Sequence, residues 1–221
     1  MQEHMVAPSL PRLNEPAPDF EAPTTQGVKR LSDYTNAGKW VLLFSHPADF
    51  TPVCTTEFMA FSQLTPEFEK RNVQLLGLSV DSVSAHLAWI RDIEENLGVK
   101  ITFPVIADLD TKVAQLYGMI HPGASATSAV RAVFIIDPSR VLRAMVYYPL
   151  TTGRFMQEFL RVIDGLQATD KFKVSTPANW QPGDEVIVPA PASAEALQAE
   201  EAKKGDYDYK RWYLRFKKID Q

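Results

Sequence analysis

Cys54 is the single cysteine of the chain, and the residue types around it are those that make a thiol reactive. It lies in Ser45-His46-Pro47-Ala48-Asp49-Phe50-Thr51-Pro52-Val53-Cys54-Thr55-Thr56-Glu57, directly after the apolar run Trp40-Val41-Leu42-Leu43-Phe44. That order predicts a strand, a loop and then the first turn of a helix. Thr51 suits the N-cap and Pro52 the first helical position, so Cys54 falls among backbone N–H groups that lack intrahelical acceptors. Those groups and the helix dipole favour an anion, and the thiolate is the nucleophilic form of cysteine. Most lone cysteines are small buried hydrophobes. Here the segment is polar and proline-punctuated, with hydroxyls at Thr51, Thr55 and Thr56, which favours a site over plain core.

Other residues are two-sided. Arg131 opens the apolar run Ala132-Val133-Phe134-Ile135-Ile136, where an unpaired guanidinium is costly, so it must meet an anion or snorkel to water. His46 reads either as a hydrogen-bonded structural residue or as a group that tunes the thiol. Glu57 is a favourable acid in a first helical turn, or the partner that holds an arginine. The four histidines, His4, His46, His86 and His121, show no ligand spacing and there is no cysteine pair, so no metal is expected.

At this point the residues carry a family resemblance. The stretch around Cys54 resembles the peroxidatic-cysteine signature of peroxiredoxins, in the form typical of the one-cysteine branch. Pro16-Ala17-Pro18-Asp19-Phe20 is similar to the family's opening segment, and Arg131 to Pro138 to its arginine-bearing strand. Tyr148-Pro149-Leu150-Thr151-Thr152-Gly153-Arg154 resembles its second arginine loop. Thr176-Pro177-Ala178-Asn179-Trp180-Gln181-Pro182-Gly183-Asp184 is similar to the C-terminal arm of the same branch.

The resemblance implies a thioredoxin-like fold, a central mixed sheet flanked by helices, and a thiol-dependent peroxidase. Cys54 would be the nucleophile. Thr51 would contact peroxide and thiolate, Pro52 would shield the sulfur, and the N–H groups of Val53 and Cys54 would receive the peroxide. Arg131 would stabilise the thiolate and orient the substrate, with Arg154 as a second arginine. This chain continues with Phe155 where a polar residue is expected. His46 would lie near the thiol. A sulfenic acid on Cys54 condenses with a thiol, and with no second cysteine that thiol must be external; no cofactor is expected. The resemblance also favours a homodimer reached by the arm, with ring assembly left open.

Composition bounds the remaining classes. The chain has 221 residues, 45% hydrophobic and 23% charged, as soluble globular proteins do. A net charge of −4 and a pI near 5.6 offer no footprint for nucleic acid. No apolar run reaches membrane-span length, and Met1 to Pro8 lacks the basic start and apolar middle of a signal peptide. A cytoplasmic location is therefore the expectation.

The elements that must position the site follow from periodicity. Strand-like runs occupy Trp40 to Phe44, Val73 to Val80, Phe103 to Ala107, Ala132 to Ile136 and Val141 to Tyr147. A helix is predicted after Asp81 with Leu87, Ile90, Ile93 and Leu97 as its stripe and Gly98 as its stop. Another begins after Asp110 and ends at Gly118, burying Val113, Leu116 and Tyr117. A third runs from Arg154 to Gln167, with Phe155, Phe159, Ile163 and Leu166 inward. Alternation of strands and helices gives an α/β class. Composition shifts near Lys171, where prolines begin to crowd, so residues 1–170 read as the peroxidase domain and 171–221 as a C-terminal arm with a helix from Ser193 to Lys204. Within Lys210 to Lys218 the alternation predicts one half-buried strand with Trp212, Leu214 and Phe216 inward.

Two other activities compete with peroxide reduction. Lipid hydrolysis, reported for some mammalian one-cysteine members, needs a serine in Gly-x-Ser-x-Gly, and the matching window Ala37-Gly38-Lys39-Trp40-Val41 has Lys39 in its place. A redox sensor or holdase would share the thiol chemistry but react once rather than turn over.

Overall fold

The computed structural model describes residues 10–201 and 208–220; His4, the reading of the N-terminus and the end of the helix expected over 193–204 lie outside them. Two compact units divide the chain, Met1–Met156 and Gln157–Gln221.

The first unit is built on a seven-stranded mixed sheet. Its strands are β1 (Glu21–Thr24), β2 (Gly27–Arg30), β3 (Trp40–Ser45), β4 (Val73–Ser79), β5 (Val105–Ala107), β6 (Arg131–Ile136) and β7 (Leu142–Tyr148), in the order β2-β1-β5-β4-β3-β6-β7. β3, β4 and β5 run parallel, and the remaining pairings are antiparallel. Helices α1 (Leu31–Thr35), α2 (Pro52–Lys70), α3 (Val83–Leu97) and α4 (Lys112–Leu116) complete it.

Every residue of β3 and of β6 is buried, which is why both read as continuous apolar runs rather than alternating ones. On one face Val41, Leu43, Leu76, Leu78, Phe134 and Ile136 share a core. On the other Phe44 stacks on Phe61 at 4.1 Å and meets Phe58 and Phe103 edge-on. Gly77, opposite Phe44 in the ladder, makes room for this cluster, since a Cβ there would lie 3.3 Å from the Phe44 ring. Ser45 ties the central strands together, donating to the Val130 carbonyl and accepting from Ala132 N.

The structure rotates the expected face of α3. Its buried residues are His86, Trp89 and Ile93, while Leu87 and Leu97 are about half exposed at 50% and 47%. The boundaries agree with the local signals: Ser82 accepts from Ala85 N at the start, and Gly98 closes the helix with φ +69°.

In the second unit α5 (Met156–Phe172) is longer than expected, and Phe155 before it is exposed rather than inward. A small core of Ala168, Val174, Trp180 and Val186 follows. Beyond it come β8 (Val186–Ile187), α6 (Ala194–Glu201), β9 (Asp208–Arg211) and β10 (Leu214–Lys217), the strands ordered β8-β10-β9. The single strand expected over 210–218 is thus a hairpin turning at Trp212 and Tyr213, both exposed. Its buried residue is Arg215, which donates to Glu200 and to the Pro189 carbonyl. Those partners engage both terminal nitrogens of the guanidinium, so the apolar alternation did not decide which side faces in.

Candidate active site

Cys54 sits in the first turn of α2, with Pro52 at its first position and Thr51 at the N-cap in extended backbone. The Thr51 hydroxyl does not cap the helix. It donates instead to the Ala48 carbonyl at 2.9 Å, closing the loop that leads in. Phe50, one residue earlier, has φ +55°, uncommon for a bulky residue and held here by its neighbours.

The thiol is fully buried. Glu57 lies three residues on, on the same helical face, and Phe58 and Phe61 continue that face into the aromatic cluster. Strand parity supplies the cation. Val133 of β6 lies opposite Phe44, so Arg131, two residues before Val133, projects to the same side of the sheet as Phe44. Its Nη1 donates to Cys54 Sγ at 3.3 Å and to Glu57 Oε2 at 2.7 Å, and its Nε donates to the Leu150 carbonyl at 2.9 Å.

Arg154 completes the group. Its Nε and Nη2 grip the two oxygens of Glu57 at 2.9 and 2.7 Å, its backbone N donates to Glu57 Oε1, and its Nη1 donates to the Ala132 carbonyl. The guanidinium also lies over the Phe44 and Phe61 rings. Phe155, where a polar residue was expected, does not disturb this arrangement; it is exposed. Burial pushes the Glu57 carboxyl up, but Arg154 and then Arg131 outweigh it and hold it below the usual carboxylate range. One buried carboxylate therefore fixes two buried guanidinium groups, and one of these touches the sulfur.

His46 pairs with the loop that leads into α2. Its Nε2 is 2.8 Å from Asp49 Oδ1, its ring packs edge-on against Phe58 and beside Trp89, and its Nδ1 has no hydrogen-bond partner among the described residues. Asp49 Oδ2 in turn lies 2.7 Å from His86 Nδ1, and His86 Nε2 is 3.0 Å from the Ile106 carbonyl. The expectation that the histidines share no ligand-like grouping is corrected. The ligand atoms of His46, Asp49 and His86 lie within 4.8 Å of one another. Their nitrogen–oxygen contacts are hydrogen-bond lengths, so protons join them. Sequence reasoning missed Asp49 and His86; a stripe on α3 drawn through residues 86, 89 and 93 would have found the second.

A buried thiol at a helix N-terminus, touched by a buried arginine at the start of an inner strand of a mixed sheet, is the layout of a thiol-dependent oxidoreductase. Comparison with known proteins narrows the class. The AhpC/TSA family matches residues 13–145, and the C-terminal domain of 1-Cys peroxiredoxin matches residues 165–204. Peroxiredoxin 2 of Caldanaerobacter subterraneus subsp. tengcongensis is 55% identical over 95% of this chain and 94% of its own length. A peroxiredoxin of Aquifex aeolicus is 52% identical over 96% and 98%. Among solved structures, the yeast mitochondrial 1-Cys peroxiredoxin superposes with a TM-score of 0.84 at 48% identity, covering 94% of this chain and 99% of that one. A cysteine-to-serine mutant of peroxiredoxin 6 of Arenicola marina gives 0.85 at 40%, covering 95% and 99%. The chain belongs to the peroxiredoxin family, in its one-cysteine branch, and has the thioredoxin-like fold of that family. It is a thiol-dependent peroxidase whose single cysteine is resolved by an external thiol.

Proposed function

We propose that Cys54 is the peroxidatic nucleophile and that Arg131 is its cationic partner. The thiolate sulfur attacks one peroxide oxygen, an S–O bond forms as the O–O bond breaks, and the departing oxygen leaves as an anion that takes a proton. Water or an alcohol is released and Cys54 becomes a sulfenic acid. Arg131 and the N–H groups of Val53 and Cys54 stabilise the charge that develops, the Thr51 hydroxyl orients the peroxide, and Pro52 screens the sulfur. Glu57 and Arg154 hold Arg131 in place, and His46 acts through the loop it anchors.

An external thiol then attacks the sulfenic sulfur, expelling water and leaving a mixed disulfide that a second thiol clears. The cycle needs no metal or other cofactor. The yeast 1-Cys relative is described as resolved via glutathione/thioredoxin systems, and donors of that kind suit this chain. Residues 1–170 carry the chemistry, with residues 171–221 as the arm that meets a second copy. β7 is an edge strand of the sheet and offers that copy a ladder to pair with, so a homodimer is the working assembly; a lone cysteine suits a reducing compartment such as the cytoplasm.

The observation that carries this reading is the Arg131 guanidinium bridging Cys54 Sγ and Glu57. The test is hydrogen peroxide consumption by reduced wild-type and Cys54→Ser protein, first at one equivalent without reductant and then in excess with dithiothreitol. Stoichiometric loss followed by thiol-dependent turnover, both absent from the variant, is expected. Equal slow loss in both proteins would remove Cys54 from the mechanism.

A further inference from the structure

We infer that Asp49 and His86 are positioning residues of the peroxidase loop. They form a buried clamp in which one carboxylate joins the imidazoles of His46 and His86 and shares a proton with the latter. The inference rests on Cys54 being the reacting thiol only for its effect on rate; the proton inventory stands on the contacts and acidities of the cluster itself.

The proton count follows from the donors and acceptors. The Ile106 carbonyl only accepts, so His86 Nε2, 3.0 Å away, carries a hydrogen. A neutral imidazole has no second one, yet His86 Nδ1 lies 2.7 Å from Asp49 Oδ2. Two lone pairs at that separation repel, so a further proton lies between them. A carboxylic acid gives up its proton well before an imidazolium does. Burial pushes the Asp49 carboxyl up, but the hydrogen bonds from His46 and His86 outweigh it and keep the carboxyl low; the shared proton is therefore placed on the imidazole. His46 uses its one N–H at Nε2 to reach Asp49 Oδ1, which leaves its Nδ1 bare. The three side chains then sum to zero charge, an imidazolium and a carboxylate paired at 0% and 1% side-chain exposure. A buried charge persists only when it is paired in this way.

Position gives the cluster its consequence. Asp49 lies in the loop between β3 and α2, two residues before the N-cap of the helix that carries Cys54. Through its carboxylate the loop is tied to the end of β3 by His46, to α3 by His86 and, one bond further, to β5 by the Ile106 carbonyl. Its backbone N–H donates to Asp81 Oδ2 beyond β4. Asp81, itself held by Ser79, is the other charged side chain bonded to this loop residue. The next residue is Phe50 in its left-handed conformation, and the Thr51 hydroxyl closes back on Ala48. The clamp thus holds the segment whose geometry starts α2, while Glu57 and Arg154 hold the arginine that faces the same sulfur.

Substitution separates hydrogen bonding from charge. In Asp49→Asn the amide oxygen accepts from His46 Nε2 and the amide NH2 donates to His86 Nδ1, so every contact survives while the extra proton is released. Asp49→Ala removes the contacts. The experiment combines ring-nitrogen NMR of 15N-labelled reduced protein with stopped-flow oxidation of Cys54 by one equivalent of hydrogen peroxide, with Cys54→Ser as control. In wild type and in Cys54→Ser, His86 is expected with both nitrogens protonated and His46 with Nδ1 bare. In Asp49→Asn, His86 becomes neutral. Asp49→Ala should slow oxidation at least about tenfold, since small displacements at a reacting centre cost up to about a hundredfold. Asp49→Asn should be at least about threefold faster than Asp49→Ala, because it restores the contacts. A wild-type His86 with one bare nitrogen, a wild-type rate in Asp49→Ala, or an Asp49→Asn no faster than Asp49→Ala overturns the inference. Peroxide consumption persisting in Cys54→Ser would instead count against the thiol assignment and leave the NMR result standing.

Discussion

Glu57→Gln is the substitution that most directly probes how this site is held. Glu57 accepts from Arg131 Nη1, Arg154 Nη2, Arg154 Nε and Arg154 N, and the three side chains are at most 3% exposed. A glutamine keeps one oxygen, able to serve one pair of these donors; its NH2 then faces the other pair, donor against donor. Two charge-assisted bonds at about 1.5–3 kcal/mol each give a loss of about 3–6 kcal/mol. Removing one member of a buried ion pair costs about 3–5 kcal/mol by an independent route, so about 4 kcal/mol is expected. For a chain of this length each kcal/mol lowers the melting temperature by about 2–4 °C, so the reduced variant should melt about 8–16 °C below wild type. Circular dichroism of reduced proteins at neutral pH reads this directly. Oxidation by one equivalent of peroxide should slow by at least about tenfold, because Arg131 loses the anchor that aims it at the sulfur. The double variant Glu57→Gln with Arg154→Met should be more stable than Glu57→Gln alone, since it removes one of the uncompensated charges. A melting shift under about 3 °C in the single variant would refute the reasoning, for it would mean the two guanidinium groups do not depend on this carboxylate.

The same carboxylate predicts an acid limb. The folded pKa of Glu57 is depressed below its ordinary 4.5, so its contribution to stability is full above that pH and is lost as pH falls through the folded value. Urea unfolding followed downward from neutral pH should show the gap between wild type and Glu57→Gln closing below pH 4.5; a gap independent of pH would contradict the pairing. In the second unit, Arg215→Met should weaken the β8-β10-β9 sheet by about 1–3 kcal/mol, because the Pro189 carbonyl and Glu200 lose their donor. Exposed Trp212→Ser should stay within about 0.5 kcal/mol. Amide hydrogen exchange of residues 186–217 distinguishes the two, and equal protection in both variants would assign Arg215 no structural role.

Much of the site was legible along the chain because its signals are local. The apolar run of β3, Pro52 at a first helical position and Cys54 two residues later are all neighbours in sequence, and helix starts are written in such short-range chemistry. Strands buried on both faces announce themselves as unbroken apolar runs, so β3 and β6 were readable, and with β6 came the oddity of an arginine at its start. Periodicity could say that Arg131 needed an anion. It could not say that parity with Phe44 would aim it at Cys54, nor that Arg154 would take hold of the same Glu57.

What only the tertiary structure decided is which faces are covered and which distant groups meet. Leu87, Leu97 and Phe155 are as apolar as the residues that are buried, and yet they are exposed. Arg215 is buried because Glu200 and the Pro189 carbonyl wait for it, an outcome that an alternation pattern ranks last. The Thr51 hydroxyl turned to Ala48 rather than to the helix, a choice set by the loop's own geometry. His46, Asp49 and His86 span forty positions and look unrelated until β3, the loop and α3 converge. Hydrogen bonding between buried polar groups depends on separation in space to within a few tenths of an ångström, and spacing along the chain carries no record of it.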